Sequence, residues 1–237
     1  ASLELVQQLA ADPHLDEWAV VDALGGLVDR SLVSVSEGEP ARYRLLESPR
    51  ALALERLHAA GEEEALVARH ARAVATMFDR AYGDYFGGRT GVDEWRRALE
   101  PDLDNARSAF AWARAHDQRA AVAMMPGLLL ALPRRLVPER QALCDALLPL
   151  LDSVDLPLLL RARAAVEAAL VVASNRIPLG VELGRRALAL ARDAGDRRLL
   201  CLAWAVAGFG CSQSRDRGSP ALEALAQMRE LCDVSWP

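Results

Sequence analysis

Small residues recur at helical spacing in the last third of this 237-residue chain, and they narrow its folding options sharply. Ala162, Ala165, Val166, Ala169 and Ala173 form one stripe; Ala203, Trp204, Ala207, Gly208 and Cys211 form another. Steps of three and four place each set on one face of a helix. A face that carries little beyond Cβ atoms gains burial only when neighbouring helices approach closely, and stacked helix pairs provide that approach. The pattern predicts two rounds of helix–turn–helix, 158–174 with 179–194 and 197–211 with 219–232. The two first helices start about 38 residues apart, near the period of tetratricopeptide-type repeats.

The rest of the chain agrees with a mainly α fold. Ala and Leu, which lose little side-chain entropy in a helix, dominate a composition that is 52% apolar and only 5% aromatic. That apolar content and length suffice for a hydrophobic core in one large or two modest domains.

Residues 1–60 follow a different grammar. Leu3, Val6, Leu9 and Ala10 suggest one short helix, and Val20, Val21, Leu24, Leu27 and Val28 a second from about Glu17 to Arg30, with Asp16 as N-cap. Val33 and Val35, then Tyr43 and Leu45, alternate with polar residues around Glu37-Gly38-Glu39-Pro40, which predicts a hairpin over 32–46 as the chain's β-structure. Ser48-Pro49 reads as an N-cap and first-turn proline, and Gly61 as the C-cap of the helix that follows. Helix, helix, hairpin, helix is the order of a winged-helix-like module.

Residues 61–155 read as further helices. One runs from Glu62 to about Tyr82; Gly83, Gly87, Gly88 and Gly91 then make a glycine-rich connection. A helix over 93–100 is interrupted by Pro101, a second reaches Ala115, and two more, 119–132 and 138–151, lie between prolines. The expected division is therefore a winged-helix-like module at 1–60, a helical linker or bundle at 61–155, and tetratricopeptide-like repeats at 156–237.

Several chemistries are disfavoured. All 28 basic residues are arginine, so a phosphate loop ending in lysine, a Schiff base and a lysine general base are impossible here. His14, His58, His70 and His116 are scattered, and Cys144, Cys201, Cys211 and Cys232 show no C-x-x-C spacing; no metal site and no cofactor is expected. Glu47, Tyr43 and His70 read as a cap, a core aromatic and a helix-face residue rather than as a catalytic set. No membrane span is visible, and unpaired thiols suit a reducing cytoplasm. The chain opens at Ala1 directly in a helical pattern, and we expect a segment of a longer protein.

Three stretches carry a family resemblance. LVDRSLVSVSEGEPARYRLLESPRALALERLHAAGE (27–62), EEEALVARHARAVA (62–75) and DEWRRALEPDLDNARSAFAWA (93–113) resemble the bacterial STAND signalling ATPases, among them LuxR-type and AfsR-like transcription regulators. ALALARDAGDRRLLCLAWAVAGFG (187–210) is similar to their degenerate repeats; Trp204, Ala207 and Gly208 fit the repeat pattern, while Cys211 stands where a Tyr is usual. The resemblance implies a nucleotide-binding core upstream, and a non-catalytic segment here that packs on that core and senses a signal. The partner would be a protein, a peptide or a small effector on the helical repeats.

Direct binding of DNA by the winged-helix-like module is the alternative. Its second helix brings Asp16, Glu17, Asp22 and Asp29 against a single Arg30, which repels a phosphate backbone. Residues 1–60 hold five arginines and ten acids, whereas 156–237 hold eleven arginines and eight acids. Three basic pairs in the repeats, Arg161 and Arg163, Arg185 and Arg186, Arg197 and Arg198, are the candidate partner-binding residues. Guanidinium forks suit the carboxylates of an acidic peptide or protein surface.

Overall fold

The computed structural model describes residues 1–12, 15–38, 40–153, 155–173, 176–213 and 219–232, without side chains at 210–213 and 219–220. It is mainly α, and it divides into two compact units, 1–74 and 75–237, with the boundary inside one continuous helix.

In the first unit α1 (Leu3–Ala10) and α2 (Glu17–Asp29) form a helix–turn–helix. Ser2 and Asp16 cap them by accepting the amides of Leu5 and Ala19. Leu5, Val20, Leu24, Val33, Ala71 and Val74 are the buried side chains of this small core. The hairpin β1 (Val33–Val35) and β2 (Tyr43–Leu45) is antiparallel, with Val33 opposite Leu45 and Val35 opposite Tyr43.

Among the described residues the hairpin is the only sheet. Outside it the Ala1 carbonyl accepts the Tyr43 amide at 2.8 Å, and Ser2 forms an isolated bridge to Arg42 beside β2. A further isolated bridge joins Asp12 and Leu15. Periodicity cannot reveal a one-residue pairing, because two residues show no alternation. α3 (Glu47–Ala60) begins one residue before the expected Ser48 cap, with Leu46 at the N-cap position, and ends at Gly61, whose φ of 70° is left-handed. α3 buries none of its side chains, and Leu52 and Leu54 are exposed. The first turns of α4 (Glu63–Phe86) are held to α1 by Arg69, which donates to the Leu9 carbonyl at 2.7 Å.

The second unit holds the last turns of α4, then α5 (Val92–Leu99), α6 (Leu103–His116), α7 (Gln118–Ala131), α8 (Val137–Leu147), α9 (Leu158–Val172), α10 (Ile177–Ala194), α11 (Arg197–Gln213) and α12 (Ser219–Leu231). Short 3-10 turns at Glu100–Asp102 and Leu148–Asp152 carry Pro101 and Pro149. α4 outruns its expected end at Tyr82 by a full turn, so Gly83 is helical and the glycine-rich connection shrinks to 87–91. Pro126 sits inside α7.

Helix α7 is buried along most of its length, with Val122, Met124, Met125, Leu128 and Leu129 fully buried. A Cβ on Gly127 would stand 2.5 Å from the Phe78 carbonyl oxygen, so glycine lets α7 touch the backbone of α4. The first small-residue stripe behaves as its spacing predicts: Ala162, Ala165, Val166, Ala169 and Ala173 are all fully buried. The second divides between two neighbours. Ala207 lies under Gly184 of α10, where a Cβ would be 3.1 Å from its Cα, and Gly208 faces Ala224 of α12. The side chain of Cys211 lies outside the described residues, as does all of His14.

Candidate functional site

The second unit contains an open cavity of about 690 Å³. Tyr85 and Phe86 at the end of α4, the 88–92 connection, Leu130, Arg134, Glu167, Leu170, four residues of α11 and Met228 line it. Its aromatic wall is fixed from behind. Trp95 donates its indole N–H to the Ala81 carbonyl at 2.6 Å and lies against Tyr85, and Phe86 stacks on Tyr82 with ring centroids 5.7 Å apart. Arg198 donates to the Phe86 carbonyl at 2.7 Å, placing a cation on the C-terminal end of α4, where exposed carbonyls and the helix dipole favour one.

Glu167 is the unusual residue of the wall. It projects from α9, is only 6% exposed, and accepts the Tyr82 hydroxyl at 3.0 Å through Oε1. Burial pushes its pKa up to about 7, although the Tyr82 bond and the nearby Arg140 favour the anion. Tyr82 in turn is held well above its ordinary value by burial and by the charge of Glu167. Behind them Arg163 lies 6.0 Å from the Tyr82 ring centroid and 3.9 Å from Asp79, whose pKa is raised by burial against the pull of that arginine. Burial lowers the pKa of Arg140, and the Nε atoms of Arg140 and Arg163 are buried without a hydrogen bond. Among the described residues no group of His, Cys, Asp and Glu is arranged to hold a metal ion.

The sequence points to Arg198 on this wall but passes over Glu167. The missed signal is an acid inside LLLRARAAVEAALVV, a run in which apolar residues flank position 167 on both sides. Such an acid is buried with a partner or at a site, since a lone buried carboxylate is costly.

The six candidate arginines do not form one cluster; they regroup. Arg161 donates to the Leu151 carbonyl at 2.8 Å and Arg186 pairs with Asp152, so both grip the 3-10 turn after α8. Arg163 and Arg198 both reach α4, at Asp79 and Phe86. Arg197 donates to the Glu230 carbonyl of α12. Arg185 is exposed, 4.0 Å from Glu182 one turn back.

No helix among the described residues is long and apolar enough to cross a membrane. No protein-family model matches the chain, and no solved structure does. Among curated proteins, the chain aligns at 28% identity over 255 residues with proteins of two strains of Mycobacterium tuberculosis and of Mycobacterium bovis. The alignment covers 99% of this chain and 27% of each relative, so the chain spans about a quarter of their length. What it resembles from end to end is thus one part of larger proteins named HTH-type transcriptional regulators.

Proposed function

We propose that this chain is a non-catalytic regulatory segment, sensing a signal and binding a partner, within a larger nucleotide-gated bacterial transcription regulator of the STAND type. The observation that carries the reading is the end-to-end similarity to about a quarter of proteins named as transcriptional regulators. Two features of the chain support it. α3 presents Leu52 and Leu54 and buries nothing, as a helix does when its natural neighbour lies elsewhere in the parent protein. The all-arginine composition leaves phosphate-loop chemistry to a core upstream. In this reading the helical pairs of the second unit take a protein, a peptide or a small effector, and its binding shifts the parent between two states. The setting is cytoplasmic.

The test is an in-frame deletion of these 237 residues from the gene, followed by transcript profiling. A defined set of genes should change expression; an unchanged transcriptome would overturn the reading.

Direct DNA recognition by α2 is disfavoured. Its exposed positions include Glu17, Asp22 and Asp29, beside a Trp18 that is 79% exposed. A surface of that sign repels phosphates. Gel-shift titration of the chain with random duplex DNA at low salt should give no complex.

A further inference from the structure

We propose that the cavity lined by α4, α7, α9, α11 and α12 binds an apolar monocarboxylate, an anion with a hydrocarbon or aromatic body, whose head is held by Arg134, with Arg198 a second cation of the same wall. The proposal rests on the sensing role proposed above and assigns it a site and a ligand class.

Size comes first. About 690 Å³ lies within the range of roughly 300–1,000 Å³ that small-molecule sites occupy. Polarity is next: Phe86, Leu130, Leu170, Leu202 and Met228 supply the apolar wall. Leu170 is 40% exposed although Ala169, Val171 and Val172 beside it on α9 are buried, so the fold leaves an apolar surface uncovered on the cavity wall. A hydrocarbon body would cover it.

Charge selects the head group. Three ionisable groups of definite sign line the cavity: Arg134, Arg198 and Glu167. The Glu167 carboxyl is buried and already accepts the Tyr82 hydroxyl, and burial opposes its negative charge. The two guanidinium groups therefore set the sign of the wall. Arg134 is exposed, and its guanidinium meets no acceptor among the described residues. A free guanidinium fork matches the two oxygens of a carboxylate. A cationic amphiphile would be repelled by both arginines, and a neutral one would gain no charge-assisted contact with Arg134.

The test uses the whole chain and three probes, decanoate and decyltrimethylammonium below their micelle concentrations and decanol below its solubility limit, each titrated by calorimetry. Decanoate should bind about tenfold more tightly than decanol, the gain expected of one charge-assisted pair. Decyltrimethylammonium should bind more weakly than either. Arg134→Gln, at an exposed position, should bring decanoate to the level of decanol and leave decanol unchanged. Ala205→Phe, which adds a ring to the α11 wall, should weaken both by tenfold or more. Circular dichroism and melting of each variant establish that it is folded. Equal affinity for decanoate and decanol, decanoate binding that neither variant alters, or no binding of any probe would overturn the proposal. Each of those results leaves the transcript-profiling test of the regulatory role untouched, so the two readings fail separately.

Discussion

The hydroxyl of Tyr82 donates to the buried Glu167 carboxyl at 3.0 Å across 85 positions of sequence, joining α4 to α9. This pair makes stability depend on pH in an unusual direction. Glu167 has an ordinary value of 4.5 and a folded value of about 7. Between those pH values the folded chain holds more protons than the unfolded one, so its stability falls as pH rises from about 4.5 to about 7 and levels off above. Asp79, raised by burial as well, adds a slope of the same sign. The loss attributable to Glu167 is on the order of 3 kcal/mol. Glu167→Gln keeps an acceptor for Tyr82 and cannot ionise. Urea denaturation from pH 5 to pH 8 should show the wild type losing ground to this variant as pH rises. Parallel profiles would refute the assignment.

Tyr82→Phe should leave the packing and remove the donor. The cost at pH 8, where Glu167 is mostly ionised, should be about 1.5–3 kcal/mol, since the bond is then made to a charge; at pH 5 it should be smaller. Equal losses at the two pH values would show that the hydroxyl does not sense the ionisation of Glu167.

Two glycines of the second unit should respond oppositely to the same change. A Cβ at Gly127 meets the Phe78 carbonyl oxygen at 2.5 Å, so Gly127→Ala should push α4 and α7 apart and cost about 1–3 kcal/mol. A Cβ at Gly83 meets nothing within 4 Å, and the residue is helical, so Gly83→Ala should stabilise by about 0.5–1 kcal/mol. Thermal melting of the two variants side by side checks both signs.

Gly83 also shows where sequence reading stops. Four glycines within nine residues suggest a loop from Gly83 onward, but Phe86 and Tyr82 stack one turn apart and carry the helix through it. That aromatic pair, four residues apart on one helix face, overrides a propensity worth about 1 kcal/mol. Features with a local cause were legible: the Asp16 and Gly61 caps, the hairpin strands and the buried stripe on α9 follow from spacing and turn chemistry. The cavity was not, because its wall draws on α4, α7, α9, α11 and α12, and no periodicity encodes which helix ends meet. Arg198 was singled out for its charge, yet its placement depends on a carbonyl 112 residues away.

The Sγ atoms of Cys201 and Cys232 lie 4.0 Å apart, one at the cavity wall on α11 and the other just beyond α12. A disulfide requires the two sulfurs to close to about 2.05 Å. Hydrogen peroxide would accept the two electrons and two thiol protons, giving one disulfide and two waters. Cys144 is fully buried, and its thiol is pushed up to about 12 by burial, so it should stay reduced. Peptide mapping after mild peroxide treatment should find a 201–232 crosslink with Cys144 unmodified. Oxidation of Cys144 at a comparable rate would contradict this ordering.

Of the six candidate arginines, Arg185 gives the cleanest test of partner binding by the repeats. Arg161, Arg163, Arg186, Arg197 and Arg198 each hold a neighbouring helix or turn, so replacing them would disturb the fold as well as any interface. Reversing Arg186, for example, would set two negative groups against each other at Asp152. Arg185 has a side chain 71% exposed and only a long 4.0 Å contact to Glu182, a pair of the kind that contributes little to stability. Arg185→Glu should therefore leave the melting temperature within about 1 °C, corresponding to a change of a few tenths of a kcal/mol. If an acidic partner docks on this face of α10, the reversal should weaken capture by about tenfold, and the loss should shrink as salt is raised because an exposed ion pair is screened. Pull-down of an acidic test peptide at low and at physiological salt reads both effects. Capture that is unchanged by Arg185→Glu would remove α10 from the interface and leave the cavity as the binding site of the second unit.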